Sequence, residues 1–143
     1  MVGPHEGGRV LVTGTPPEEA RGALVLVHGR GGSAEDLLGL AREWDVSGLA
    51  LLAPQAAGHT WYPYSFLAPL AQNEPGLSSG LATIAALVAR ASEAGIPPER
   101  VVLLGFSQGA CLSLEFAARN ARRYGGLVGL SGGLIGPDGT PRD

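Results

Sequence analysis

At 143 residues, with 45% apolar and 16% charged side chains, the chain has the size of one compact domain over 1–143 with a sizeable core, and not of two. A net charge of −3 argues against a nucleic-acid partner, which attracts proteins through basic patches. All ten basic residues are Arg, and the lack of lysine removes Ser–Lys catalysis, Schiff-base chemistry and a P-loop lysine.

The N-terminal residues Met1 to Glu6 carry no apolar core for a signal peptide. No run of about 18 apolar residues is present, so a cytoplasmic protein without a membrane partner is expected. Three scattered histidines and one cysteine, Cys111, leave no zinc pattern and no internal disulfide, and no cofactor or metal is expected. Cys111 reads as a small apolar residue on a buried helix face. His5 falls in what reads as a floppy terminus.

Arg9–Thr13 predicts a short strand, and Ala23–His28 a strand buried on both faces that ends in Gly29-Arg30-Gly31-Gly32. Ser33 then caps a helix whose apolar face is Leu37, Leu40, Ala41 and Trp44, with Glu35 and Asp36 in its first turn. Leu49–Ala53 is the next buried strand. From Gln55 to about Asn73 runs an aromatic loop with Trp61, Tyr62, Tyr64 and Phe66, long enough to favour a functional role.

Leu77 to Ala94 has helical spacing at Leu81, Ile84, Ala85, Leu87 and Val88, and Gly95 with Pro97-Pro98 ends it. Arg100–Phe106 predicts a third buried strand. Gln108–Arg123 follows as a helix with Leu112, Leu114, Phe116 and Ala117 inward, then Gly126–Leu130 as a further strand. The alternation predicts an α/β fold: a mostly parallel sheet with helices on both faces.

Gly105-Phe106-Ser107-Gln108-Gly109 fits G-x-S-x-G, in which a serine nucleophile sits on a strained strand-to-helix turn. Gly129-Leu130-Ser131-Gly132-Gly133 fits it too, but no helix can continue through Gly132 to Gly139. Position therefore selects Ser107. A serine nucleophile needs donors for the oxyanion. The Gln108 N–H directly follows it, and the N–H of Arg30 or Gly31 in the glycine turn is the second.

His28-Gly29-Arg30-Gly31-Gly32-Ser33, Gly105 to Ala110 and Leu130-Ser131-Gly132 resemble the phospholipase/carboxylesterase family of α/β hydrolases, which includes the acyl-protein thioesterases. Trp61-Tyr62-Pro63 with Asn73-Glu74-Pro75-Gly76 looks like its small bacterial members, and the resemblance runs from about Arg9 to Gly133. It implies hydrolysis of small-molecule carboxylic esters or thioesters, with the Arg30 and Gln108 amides as oxyanion donors. It also implies that the loop bearing Trp61 and Phe66 borders the acyl pocket. His59 is expected at the pocket rim, and His28 to brace the oxyanion turn.

The family's triad runs Ser, Asp, His. No histidine follows Ser107, and Asp138 and Asp143 lie in a Gly/Pro-rich tail. Against that plan the chain reads as the first two-thirds of a hydrolase, with its His and Asp expected past residue 143 or from another chain. Strand 126–130 is then an uncovered apolar edge, and self-association or pairing through it is expected.

Two other functions fit parts of the sequence. Gly29-x-Gly31-x-x-Ala34 matches a dinucleotide fingerprint, but no Asp or Glu stands near Leu49–Pro54 to hold a ribose. The missing histidine also fits a hydrolase scaffold that only binds.

Overall fold

The apolar run Gly22–Val27 forms β2, buried along its whole length, and the domain is layered around it. The computed structural model describes residues 3–141. β2 lies between β3 (Leu49–Pro54) and β4 (Val101–Phe106), parallel to both. β1 (Val10–Gly14) adds antiparallel to β3, and β5 (Gly126–Leu130) adds parallel to β4, giving the order β1-β3-β2-β4-β5.

Strand alternation divides the core in two. Ala23, Val25, Val27, Ala50, Leu52, Val101 and Leu103 face α2 (Gly76–Glu93) and α3 (Gln108–Arg119). Leu24, Leu26, Leu51, Ala53 and Leu104 face α1 (Ala34–Ala41). Both faces of the central strands are covered, which is why these segments read as unbroken apolar runs.

α1 is opened by a capping box: Ser33 Oγ accepts from Asp36 N–H, and the Asp36 carboxylate accepts from Ser33 N–H. It stops at Ala41, so Leu38 joins Leu37 and Ala41 in the core, while the expected core residues Leu40 and Trp44 are exposed. On α2, Ala85 likewise faces solvent, and Leu77 and Ala91 take part in the buried stripe. α3 ends at Arg119 rather than Arg123. Asn120 leaves the helical region (φ −123°, ψ 59°) and donates from Nδ2 to Phe116 O, a local bond that competes with a further turn.

β5 has a neighbour on one side only. Leu127, Val128 and Leu130, and Leu134 beyond them, are all at least 37% exposed. An apolar strand with a free row of backbone groups is a template for another chain.

The expectation of a floppy His5 is overturned. Its side chain is buried, Nε2–H donates to Trp61 O (2.7 Å) and Nδ1 accepts from Ala57 N–H (3.0 Å). Its own N–H donates to Ser79 Oγ (2.9 Å), so the N-terminal segment is tied to both α2 and the aromatic loop.

Candidate active site

Ser107 joins β4 to α3 with φ 55° and ψ −115°. Such a backbone costs a side-chain-bearing residue of the order of 1–3 kcal/mol and has to be held by its surroundings. Ser107 N–H donates to Leu130 O (2.8 Å), and its carbonyl accepts from Cys111 N–H (3.0 Å). Both flanking glycines are required. A Cβ at Gly105 would overlap Gly109 O, and one at Gly109 would overlap Val27 O and His28 O, because the elbow crosses directly over the end of β2. Serine at a helix N-cap ordinarily accepts from the first turn. Ser107 makes no such bond, so its hydroxyl stays available.

The glycine turn after β2 approaches the elbow closely: a Cβ at Gly29 would sit 3.0 Å from Phe106 O and 3.3 Å from Ser107 Cβ. Within it, Gly31 N–H donates to His59 O (2.7 Å) and Gly32 N–H to Gly29 O (3.0 Å). Of the two amides the sequence leaves open, Gly31 is therefore spent. Arg30 N–H has no acceptor among the described residues. Gln108 N–H opens α3, where the first amides have no partner inside the helix. The two spent amides also count against the dinucleotide fingerprint, whose phosphate-binding turn needs them free.

Side chains of Arg30 and Gln108 hold the aromatic loop. The Arg30 guanidinium donates to Thr60 Oγ1, Pro63 O and Tyr64 O (3.1, 2.9 and 2.8 Å). Gln108 accepts from Trp61 N–H through Oε1 (2.7 Å) and donates through Nε2 to Tyr62 O (2.8 Å) and Thr60 Oγ1 (3.2 Å). His28, fully buried, donates from Nδ1 to Gly29 O (2.7 Å) and accepts at Nε2 from Ala56 N–H (3.0 Å), the bracing role expected of it. Burial lowers its pKa, and that of His5, below the ordinary histidine range.

A cavity of about 220 Å³ opens at this edge, lined by Arg30, Tyr62, Ser65, Phe66, Ser107, Gln108, Cys111 and Ser131. It gathers Ser107, both expected oxyanion residues and Phe66. Two of the expected substrate-binding residues are elsewhere. Trp61 is fully buried between the His5 and His28 rings (centroids 4.9 and 5.2 Å away), with Nε1–H donating to His28 O. A large ring with a polar N–H reaches a satisfied core position there. His59 also does not line the cavity; it bonds to Gly32 O through Nδ1 (2.8 Å) and clamps the glycine turn through its carbonyl.

Ser65, Cys111 and Ser131 on this wall were not singled out for the site by sequence reasoning, and Tyr62 was read only among the aromatics of the loop. Tyr62 is buried, its phenol pushed up by burial and then by Cys111 beside it. Cys111, a buried thiol, follows Ser107 by one helical turn, a spacing that could have placed it. Ser131 brings the rejected G-x-S-x-G serine into the same cavity. Glu115, fully buried on α3, also escaped the sequence reading. It accepts from Ile135 N–H (2.8 Å) and pairs with Arg119 (2.7 Å), tying the segment after β5 to the helix. None of the three histidines lines the cavity. Asp138 does not line it either, and Asp143 lies outside the described residues. Among the described residues no three His, Cys, Asp or Glu side chains cluster as a metal site would require, and no helix is long and apolar enough to cross a membrane.

A glycine-flanked serine elbow between a parallel strand and a helix, facing a second strand-end turn with a free amide, is the arrangement of the α/β hydrolases. Residues 10–142 match the phospholipase/carboxylesterase family model. The chain belongs to that family. A phospholipase/carboxylesterase from Dyadobacter fermentans superposes with a TM-score of 0.91 at 46% identity, over 94% of this chain and 64% of that one. The esterase PE8 superposes at 0.70 with 27% identity, over 90% of this chain and 64% of its own. Acyl-protein thioesterase 1 of Yarrowia lipolytica is 36% identical over 75 residues, 51% of this chain and 33% of that protein. The chain thus spans from a third to just under two-thirds of the length of these relatives.

Proposed function

We propose that the chain carries the nucleophile half of a serine esterase or thioesterase acting on small acyl substrates. The observation that carries this reading is one cavity lined by Ser107, strained and with its hydroxyl uncapped, together with Arg30 and Gln108, the residues with the unspent amides. In the reaction, Ser107 Oγ attacks the acyl carbon and its proton passes to a base. The two amides, with the N-terminus of α3 behind them, hold the oxyanion. The C–O or C–S bond then breaks, the departing alcohol or thiol takes the proton, and water repeats the sequence on the acyl-enzyme to free the acid.

The base and its carboxylate partner are assigned to polypeptide past residue 143 or to another chain, docked against β5. Residues 1–143 alone are then expected to turn over little substrate. The test joins this chain to the C-terminal third of the Dyadobacter relative and follows p-nitrophenyl acetate. Turnover that falls by about 10³-fold or more in Ser107→Ala supports the reading; turnover unchanged by that substitution overturns it. The absence of a histidine from the cavity favours a second reading, a scaffold that only binds. Ester binding by the joined chain with no Ser107-dependent turnover would select it.

A further inference from the structure

Among the described residues, the non-glycine residues with positive φ are His59, Ser107 and Ser131. The strain is concentrated at one edge: His59 clamps the oxyanion turn, and Ser107 and Ser131 line the same cavity. Backbone strain of this kind persists where something over-determines it, and it clusters at functional sites.

Ser131 directly follows β5 with φ 62°. Glycine would hold that conformation without strain, and the next two residues are glycines. Gly132 has a packing reason: a Cβ there would sit 2.5 Å from Ala110 Cβ and 2.8 Å from Cys111 N. Packing therefore accounts for the glycine beside Ser131 and not for the hydroxyl on Ser131. Ser131 is exposed and its hydroxyl, like that of Ser107, makes no hydrogen bond among the described residues, whereas the third cavity serine, Ser65, accepts from Leu67 N–H.

The strand order places it relative to the chemistry. β4 lies between β2 and β5, so Ser107 stands between the turn bearing the Arg30 amide and Ser131. A carbonyl oxygen held on the β2 side leaves the other oxygen of an ester towards β5. We propose that Ser131 is a substrate-binding residue whose hydroxyl donates to the alkoxy oxygen of an oxygen ester, favouring it over groups lacking that acceptor. The inference rests on the function proposed above.

The test compares ethyl butyrate with heptan-4-one, its counterpart with CH₂ in place of the alkoxy oxygen. Binding to residues 1–143 is followed by NMR shifts of the Arg30 and Gln108 amides, which needs no turnover. One neutral hydrogen bond should make the ester bind about three- to tenfold more tightly than the ketone. Ser131→Ala should abolish that preference while leaving ketone affinity unchanged. Ser131→Gly should abolish it too, and raise the melting temperature by a few degrees as the strain is relieved. An ester preference that survives in either variant, or none in the wild type, overturns the role of Ser131 and leaves the proposed function standing. Binding of neither probe to the wild type overturns both.

Discussion

Arg30 and Gln108 come from different strand-to-helix turns, yet their side chains grip the same stretch, residues 60–64, and meet at Thr60 Oγ1 (3.1 and 3.2 Å). Each residue thus lines the cavity and spends its side chain fixing the loop that supplies Tyr62 and Phe66 to the same cavity. The position of the proposed oxyanion donors and the shape of the pocket are therefore mechanically one unit.

Arg30→Ala and Gln108→Ala should therefore disturb the site although both backbone amides remain. Gln108→Ala strips hydrogen bonds from the buried Trp61 N–H and Tyr62 O and should destabilise the domain by about 1–3 kcal/mol, whereas Arg30→Ala removes exposed bonds and should cost about 1 kcal/mol, both read by urea unfolding. Arg30→Lys should recover little of it, since one ammonium cannot span Thr60, Pro63 and Tyr64 as the planar fork does.

The two elbow glycines should tolerate nothing larger. Gly109→Ala drives a methyl into Val27 O and His28 O, and a cost of about 3 kcal/mol or more is expected. Gly58→Ala is the contrast: its φ is positive (62°), which Gly109 does not share, but the space around it is open, so only about 1 kcal/mol should be lost. Comparable costs at the two positions, measured by denaturant melts, would mean that the crossing over β2 is not what selects glycine.

Acid should loosen the aromatic loop before it unfolds the rest. His5 and His28 each accept an amide proton at one ring nitrogen, from Ala57 and Ala56, which only the neutral ring can do. Burial lowers both pKa values, so the folded state binds fewer protons than the unfolded one below the ordinary value of 6.5. Their contribution is fully present above pH 6.5 and is lost as the pH falls through the folded-state values. Melting temperature should drop across that window, and His5→Gln should flatten the drop. A profile unchanged in the variant would count against this role of the His5 ring.

The β5 edge should make residues 1–143 associate. Light scattering is expected to show species larger than a monomer, and Leu127→Lys with Val128→Lys should shift the population towards monomer by placing charge on the exposed edge. A clean, heat-stable wild-type monomer would remove the expectation.

All five strands were legible to within one residue, because the central three are apolar runs buried on both faces and bounded by Gly or Pro. Helix ends were read less well. Trp44 and Ala117 are apolar at helical spacing, but one lies past the true end of α1 and the other is only half-buried. Capping at Asn120 and the packing of Leu38 decided those limits, and composition shows neither. The aromatic loop, expected beside Ser107, divides by orientation: Phe66 lines the cavity that Ser107 lines, and Trp61 is in the core.

By itself the sequence determined the sheet and the elbow, and it favoured Ser107 over Ser131 as the proposed nucleophile, since all three follow from local chemistry: apolar alternation, paired glycines and a helix that can or cannot continue. Only the tertiary structure decided which amide of the glycine turn is free, where Trp61 and His5 lie, and that Ser131 shares the cavity of Ser107. Those depend on strand order and on partners such as His59 for Gly31, Trp61 for His5 and Leu130 for Ser107, which the fold brings together from 23 to 56 residues apart.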